Sequence, residues 1–269
     1  MRLVGVVRAD RVRRFLAALV SAALLSGFVP FAPLSPAPVS ADGGAPACVM
    51  DDVLTRYRAP GDWYRTVLDT QLTLSKAYVP DSLVPTSWAG VSGGGYVRHL
   101  AIADLRAMYR ASRVAGVPFA IESAYRSYTT QIYVFRSWVR KVGWDRAILA
   151  SARGGHSEHQ LGTTIDIKTP GGEKPWYVRG WGYTPLATWV AANSWKYGWI
   201  VSFPAERSPR WSCYQREPWH LRYVGRTIAE QVHRSGVTLR EWLWSKGGTT
   251  TWTGGVPFPT PAPAPSPAP

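Results

Sequence analysis

The sequence predicts an α+β domain, a small and mainly antiparallel sheet flanked by helices. Helical and strand-like stretches are mixed without the strand–helix–strand rhythm of a parallel sheet. Residues 42–246 lie between an apolar N-terminal run and a Pro/Ala-rich end, and suffice for one domain with a full core. No internal repeat divides them.

Each element follows from its pattern. Leu100, Ala101, Leu105, Met108 and Ala111 share one side of residues 96–116, so the spacing predicts a helix stopped by Gly116. Val117, Phe119 and Ile121 alternate, and residues 117–127 read as a strand running into a loop. Ile132, Phe135, Val139 and Val142 recur at helical spacing over 129–143, where Gly143 ends the run. The β-branched "GTTIDIK" at 162–168 reads as a strand. A helix over 184–198 begins with a Thr cap and Pro at its first position, and stops at Gly198. "WIVSFP" (199–204) and "WHLRYVG" (219–225) are short strands, and residues 225–236 are a helix. A last helix over 238–244 opens with Thr238 and Glu241 at capping-box spacing. Of the 14 tryptophans, Trp138, Trp189 and Trp195 are expected in the core.

The two ends are of other kinds. Arg2, Arg8, Arg11, Arg13 and Arg14 precede the apolar run Phe15–Val29, which has the length and flanks of a secretory signal. It is short for a membrane span, and Val39 and Ala41 fit a cleavage site after residue 41. An uncleaved segment would be the chain's one route to a membrane. Residues 42–67 then form an N-terminal arm and 68–246 the functional domain. Residues 247–269 are rich in Gly, Thr, Pro and Ala, and read as a disordered tail.

Removing residues 1–41 takes away five Arg and Asp10, leaving 26 basic and 16 acidic residues, a net charge of +10. A basic exported protein is drawn to anionic polymers outside the cell, such as those of a bacterial wall. Nucleic acid does not fit that location. Cys48 and Cys213 are the only cysteines, and in an exported chain an even pair suggests one disulfide.

The chemistry concentrates in "GGHSEHQLGTTIDI" at 154–167 and "EPWHLRY" at 217–223. His159 lies in a loop, Asp166 on the strand that follows, and His220 at the start of another strand. Two His and one Asp are the ligand count of a catalytic zinc site, which keeps a further position for water. Glu217, three residues before His220, is then the natural general base. Trp219 adjoins both and is placed to wall a substrate pocket. His99 and His233 fall in predicted helices as surface or packing residues. His156 is near enough to approach the metal, but is not needed as a ligand.

"SAYRSYTTQ" (123–131), "SEHQLGTTIDI" (157–167) and "EPWHLRYVG" (217–225), in this order and at these distances, resemble the zinc D-alanyl-D-alanine carboxypeptidases of the VanY type. The resemblance extends over about residues 68–235 and implies a Hedgehog/DD-peptidase-like fold. It implies one Zn2+ held by His159, Asp166 and His220, with Glu217 as catalytic base. It places Arg126 at the substrate's charged end, and Ser157 and Gln131 in the substrate pocket. The expected substrate is the peptidoglycan stem peptide, cut at its C-terminal bond by a secreted, wall-acting enzyme. Gly154-Gly155 stands where the family usually has Pro-Gly, and Thr163-Thr164 where it has a small apolar pair. An L,D-carboxypeptidase, a peptidoglycan endopeptidase and a non-catalytic wall-binding protein remain open alternatives.

Overall fold

The computed structural model describes residues 45–204, 208 and 210–247. The predicted signal segment, and the tail beyond Gly247, lie outside the described residues. Among the described residues no helix is long and apolar enough to cross a membrane.

The architecture is α+β, as the sequence predicts. In chain order, β1 (Val53–Leu54) pairs in parallel with β2 (Leu72–Thr73), and β3 (Leu83–Pro85) pairs antiparallel with β4 (Tyr96–Arg98). Helix α1 (Ile102–Val114) leads to β5 (Ala120–Ser123), then α2 (Tyr128–Val142) and α3 (Trp144–Ala150). There follow β6 (Thr164–Lys168), α4 (Pro185–Asn193), β7 (Trp199–Phe203), β8 (Glu217–Tyr223), α5 (Arg226–Ser235) and α6 (Leu239–Ser245). The central sheet is antiparallel, in the order β5-β6-β8-β7.

Alternation along the strands divides the sheet into two faces. Ile165, Ile167, Leu221 and Tyr223 turn into the main core with Leu105 and Met108 of α1. Thr164, Asp166, His220 and Arg222 alternate with them in sequence and carry the polar groups. A second core joins α5 and α6 to Val67 and Leu72 from the N-terminal part. That part is fastened covalently too, by a Cys48–Cys213 disulfide with a Cα–Cα distance of 5.3 Å.

The structure corrects several sequence expectations. Residues 96–101 are a strand and a 3-10 turn, and the helix begins only at Ile102. Arg98 is responsible: its N–H donates to Gly162 O at 2.8 Å, and its buried guanidinium donates to Leu161 O and Asp81. Helix α3 is additional, because Gly143 at φ +81 turns the chain from α2 directly into it. Strand β6 starts at Thr164, since Gly162 adopts φ +72 to close a 3-10 turn over Glu158–Leu161. His159 therefore sits on a rigid buried turn. Strand β8 starts at Glu217, which puts Glu217 on the sheet opposite Phe203. Trp189 and Trp195 pack against the two cores while only partly buried, Trp138 is partly buried, and Trp181, Trp199 and Trp242 are fully packed inside. The Thr238–Glu241 capping box is present as predicted.

Candidate active site

Strand register builds the site. Ser123 of β5 pairs with Asp166 of β6, and Asp166 pairs with His220 of β8, giving one polar row across three strands. The 3-10 turn presents His159 to this row, with Ser157 as its N-cap: the Ser157 hydroxyl accepts from the His159 N–H at 3.3 Å. Ligand atoms of His159, Asp166 and His220 all lie within 4.8 Å of one another, and all three residues are buried.

Hydrogen bonds fix which nitrogen each histidine offers. His159 Nδ1 donates to Ala124 O at 2.7 Å, so Nε2 carries a lone pair. That Nε2 has no hydrogen-bond partner, yet lies 3.2 Å from Asp166 Oδ2. Two electron-rich atoms at this distance repel unless a cation lies against both. His220 is the mirror case: Nε2 donates to Glu158 Oε2 at 2.9 Å and Nδ1 lies 3.2 Å from Asp166 Oδ1. Two imidazole lone pairs and a carboxylate converging in a buried site fit a borderline divalent metal such as zinc.

Without a metal, protons and charges settle accordingly. Burial would lower the His220 pKa, but hydrogen bonds to Asp166 and Glu158 overcome it and raise it to about 10. Burial and the nearby Arg126 cation lower His159 to about 4. Burial would raise Asp166, yet the two histidines hold it well below the usual carboxylate range. Glu217 Oε2 lies 3.7 Å from His220 Nδ1, and burial pushes its carboxyl up to about 8.

Arg126 borders the same carboxylate, with Nη1 3.6 Å from Asp166 Oδ2. Its Nε donates to Gln131 Oε1 at 2.9 Å and its Nη1 to Ser123 Oγ at 2.8 Å, which fixes the guanidinium plane. Gln131 is fully buried behind Arg126, its amide donating to Ala152 O at 2.6 Å. Gln131 is thus not on the cavity wall where the resemblance placed it, and bears on the pocket through Arg126. The cavity of about 380 Å³ is lined by Ser157, His159, Asp166, Glu217, Trp219, His220 and Arg126. Trp219 packs edge-on against Trp176 and Trp181. Towards the mouth, Lys141 of α2 donates to the Tyr177 hydroxyl and spans the two walls.

Residues 94–226 match the model of the VanY D-alanyl-D-alanine carboxypeptidases. The matched region belongs to the VanY family. A Bacillus subtilis protein named as a candidate carboxypeptidase, YodJ, is 36% identical over 150 residues, 55% of this chain and 54% of that protein. The chain thus spans about half the length of this curated relative. The solved L,D-carboxypeptidase LdcB has 28% identity and a TM-score of 0.61, covering 74% of this chain and 98% of that one. A D,D-pentapeptidase VanY solved with Zn(II) has 26% identity and a TM-score of 0.55, covering 67% and 99%. Zinc in that VanY relative agrees with the donor set here.

His156 borders the same cavity but is not part of the ligand cluster, and both its ring nitrogens are engaged elsewhere. Its Nδ1 meets Asp69 O and its Nε2 meets Asp52 Oδ1, each at 2.8 Å, tying down the N-terminal part. Gly155, just before it, adopts φ +87, and a Cβ there would meet Thr73 Oγ1 at 2.2 Å. Thr164 uses the hydroxyl that a small apolar residue would lack, donating to Glu158 O at 3.0 Å. Glu158 and Arg222 are the site residues that sequence reasoning missed. The signal was available: Arg222 is two positions from His220 on one strand, hence on the same face.

Proposed function

We propose that this protein is an exported, zinc-dependent D-alanyl-D-alanine carboxypeptidase that removes the C-terminal residue of peptidoglycan stem peptides. The observation that carries this reading is the convergence of His159 Nε2, the Asp166 carboxylate and His220 Nδ1 beside Glu217 and Arg126 in one cavity. Bound there by those three residues, zinc would polarise the scissile carbonyl and make water acidic enough to attack at neutral pH.

The chain's own groups supply the rest. Glu217 takes the proton from the attacking water and returns it to the leaving amine. Its position suits this, since the carboxylate lies 3.7 Å from His220 Nδ1 at the edge of the ligand set. Arg126 grips the substrate's free C-terminal carboxylate, its plane held ready by Gln131 and Ser123. Trp219 and Ser157 shape the wall against which the terminal residue packs. The disulfide and the basic composition accord with work outside the cytoplasm among anionic wall polymers.

L,D-carboxypeptidase activity is the second reading, favoured by the likeness to LdcB over nearly that protein's whole length. Incubating the zinc-loaded chain with synthetic penta- and tetrapeptide stems, and weighing the products, decides between them. Loss of one D-alanine from the pentapeptide alone is the expected result. Trimming of the tetrapeptide alone establishes the L,D reading, and no release from either overturns both.

A further inference from the structure

From Glu158, which borders the cavity beside His220, a buried chain of charge that the catalytic reading does not use runs inward. Glu158 Oε2 accepts from His220 Nε2 at 2.9 Å and from Ser202 Oγ at 2.7 Å. Its other oxygen, Oε1, accepts from Arg222 Nη1 at 2.9 Å. Arg222 Nη2 in turn donates to the carbonyls of Trp63 and Thr66, at 2.9 and 2.7 Å. The Arg222 side chain is 0% exposed and that of Glu158 7%.

We propose that Glu158, backed by Arg222, is a positioning residue for the metal centre, holding the Nε2–H of His220 so that its Nδ1 lone pair converges with His159 and Asp166. The inference rests on the reading of those three residues as metal ligands.

Three features support a role beyond structure. First, an imidazole ring can be turned over to present either nitrogen, and a carboxylate behind one of them decides the matter. Second, Glu158 and His159 are consecutive on one 3-10 turn, so the turn that places one ligand also holds the other through its partner. Third, the pair adds no net charge. Arg222 neutralises Glu158, so His220 gains a carboxylate acceptor without a further uncompensated negative charge near Glu217. As a plain ion pair it would be a poor stabiliser, because desolvating two charges offsets most of their attraction.

Removing Glu158 alone would strand the buried Arg222 cation, so the test removes both charges. The Glu158→Leu/Arg222→Met chain has no acceptor behind His220, whereas Glu158→Gln/Arg222→Met keeps a neutral one. Zinc affinity, measured against a competing chelator on the full-length folded chain, should fall about 10–100-fold in the Leu/Met variant. The Gln/Met variant should recover part of that loss. A Leu/Met variant that binds zinc as tightly as the wild type overturns the proposal, whatever its melting temperature.

The wild-type protein provides a readout independent of any variant's folding. Long-range proton–nitrogen spectra of the zinc-loaded chain should show His220 protonated at Nε2 and zinc-shifted at Nδ1. The opposite arrangement overturns the role of Glu158 and leaves the metal site intact. A His220 signal that does not respond to zinc at all removes the metal reading itself, a result distinct from either.

Discussion

Asp166 and His220 are direct cross-strand neighbours on β6 and β8, and their side chains meet at 3.2 Å, Oδ1 to Nδ1. The register of one antiparallel pair therefore sets two of the three proposed metal ligands. A slip of either strand by one residue would turn its side chain into the apolar core and part the pair. The proposed metal centre is as well defined as the sheet itself.

The first prediction follows from that row. The pure chain should bind one zinc ion, and Asp166→Ala should abolish stoichiometric binding while the fold persists. Elemental analysis before and after chelation measures this. Full peptidase activity in rigorously metal-free protein would contradict the assignment.

Glu217 is predicted to act on the proton and not on the metal. Glu217→Gln keeps the shape and should keep the zinc, but lower kcat by roughly 10²–10⁴-fold. Near-normal turnover with bound zinc would show that another group takes the proton.

Arg126 and Gln131 should fail in the same way and to different degrees. Arg126→Ala removes the partner of a free C-terminal carboxylate, so kcat/KM should fall far more for free than for amidated peptides. Gln131→Ala only releases the guanidinium plane and should give a smaller loss with the same selectivity. Equal losses on both substrates would make Arg126 a structural or transition-state group.

How far these residues were legible depends on the range of the interaction. Motif residues and their strands show in the sequence because alternation is local: Ile165 and Ile167 inward imply Asp166 outward. The face of Arg222 is legible from its spacing to His220, but its partner Glu158 lies 64 positions away on the turn before β6, and only folding brings the two together. Helix α1 starts later than its periodicity predicts for a similar reason. Arg98 is drawn into a strand by Gly162, Leu161 and Asp81, none adjacent in sequence, and such tertiary contacts override helical periodicity. The motif puts Gln131 in the pocket, but packing turns it behind Arg126.

The disulfide closes a separation of 165 residues and ends four positions before Glu217. Replacing both cysteines should cost about 2–5 kcal/mol of stability. Cys213 also adopts φ +66, a conformation that favours glycine. Cys48→Ala/Cys213→Gly should therefore be more stable than Cys48→Ala/Cys213→Ala, by about 1 kcal/mol. Denaturant unfolding of the two variants tests the sign, and the reverse order would show that Cys213 relaxes out of this conformation once freed.

The last prediction concerns pH in the metal-free protein. Glu217, buried, keeps its proton in the folded state up to about 8, whereas the unfolded carboxyl loses it from about 4.5. His220, raised to about 10, is charged when folded well above its ordinary 6.5. His159, lowered to about 4, works the other way and offsets Glu217 up to about 6.5, so the folded state binds more protons than the unfolded one above 6.5 and stability falls as pH rises there. On the acid side Glu158 acts oppositely. Burial would raise its pKa, but Arg222 and His220 hold it down to about 2, so its contribution is present above 4.5 and lost as pH falls towards 2. The chelated chain should thus be most stable near pH 5–6, and its Tm should fall as pH rises from 6.5 to 9. Glu217→Gln has no proton to lose and should flatten the part of the fall below pH 8. Zinc-loaded protein should show the reverse trend in its added stability, because the metal competes with protons for His220 and gains as they leave. Thermal unfolding of chelated and zinc-loaded samples from pH 5 to 9 checks all three. A chelated protein whose Tm is flat across that range would mean that Glu217 and His220 are not held in the protonation states that the geometry of the site dictates.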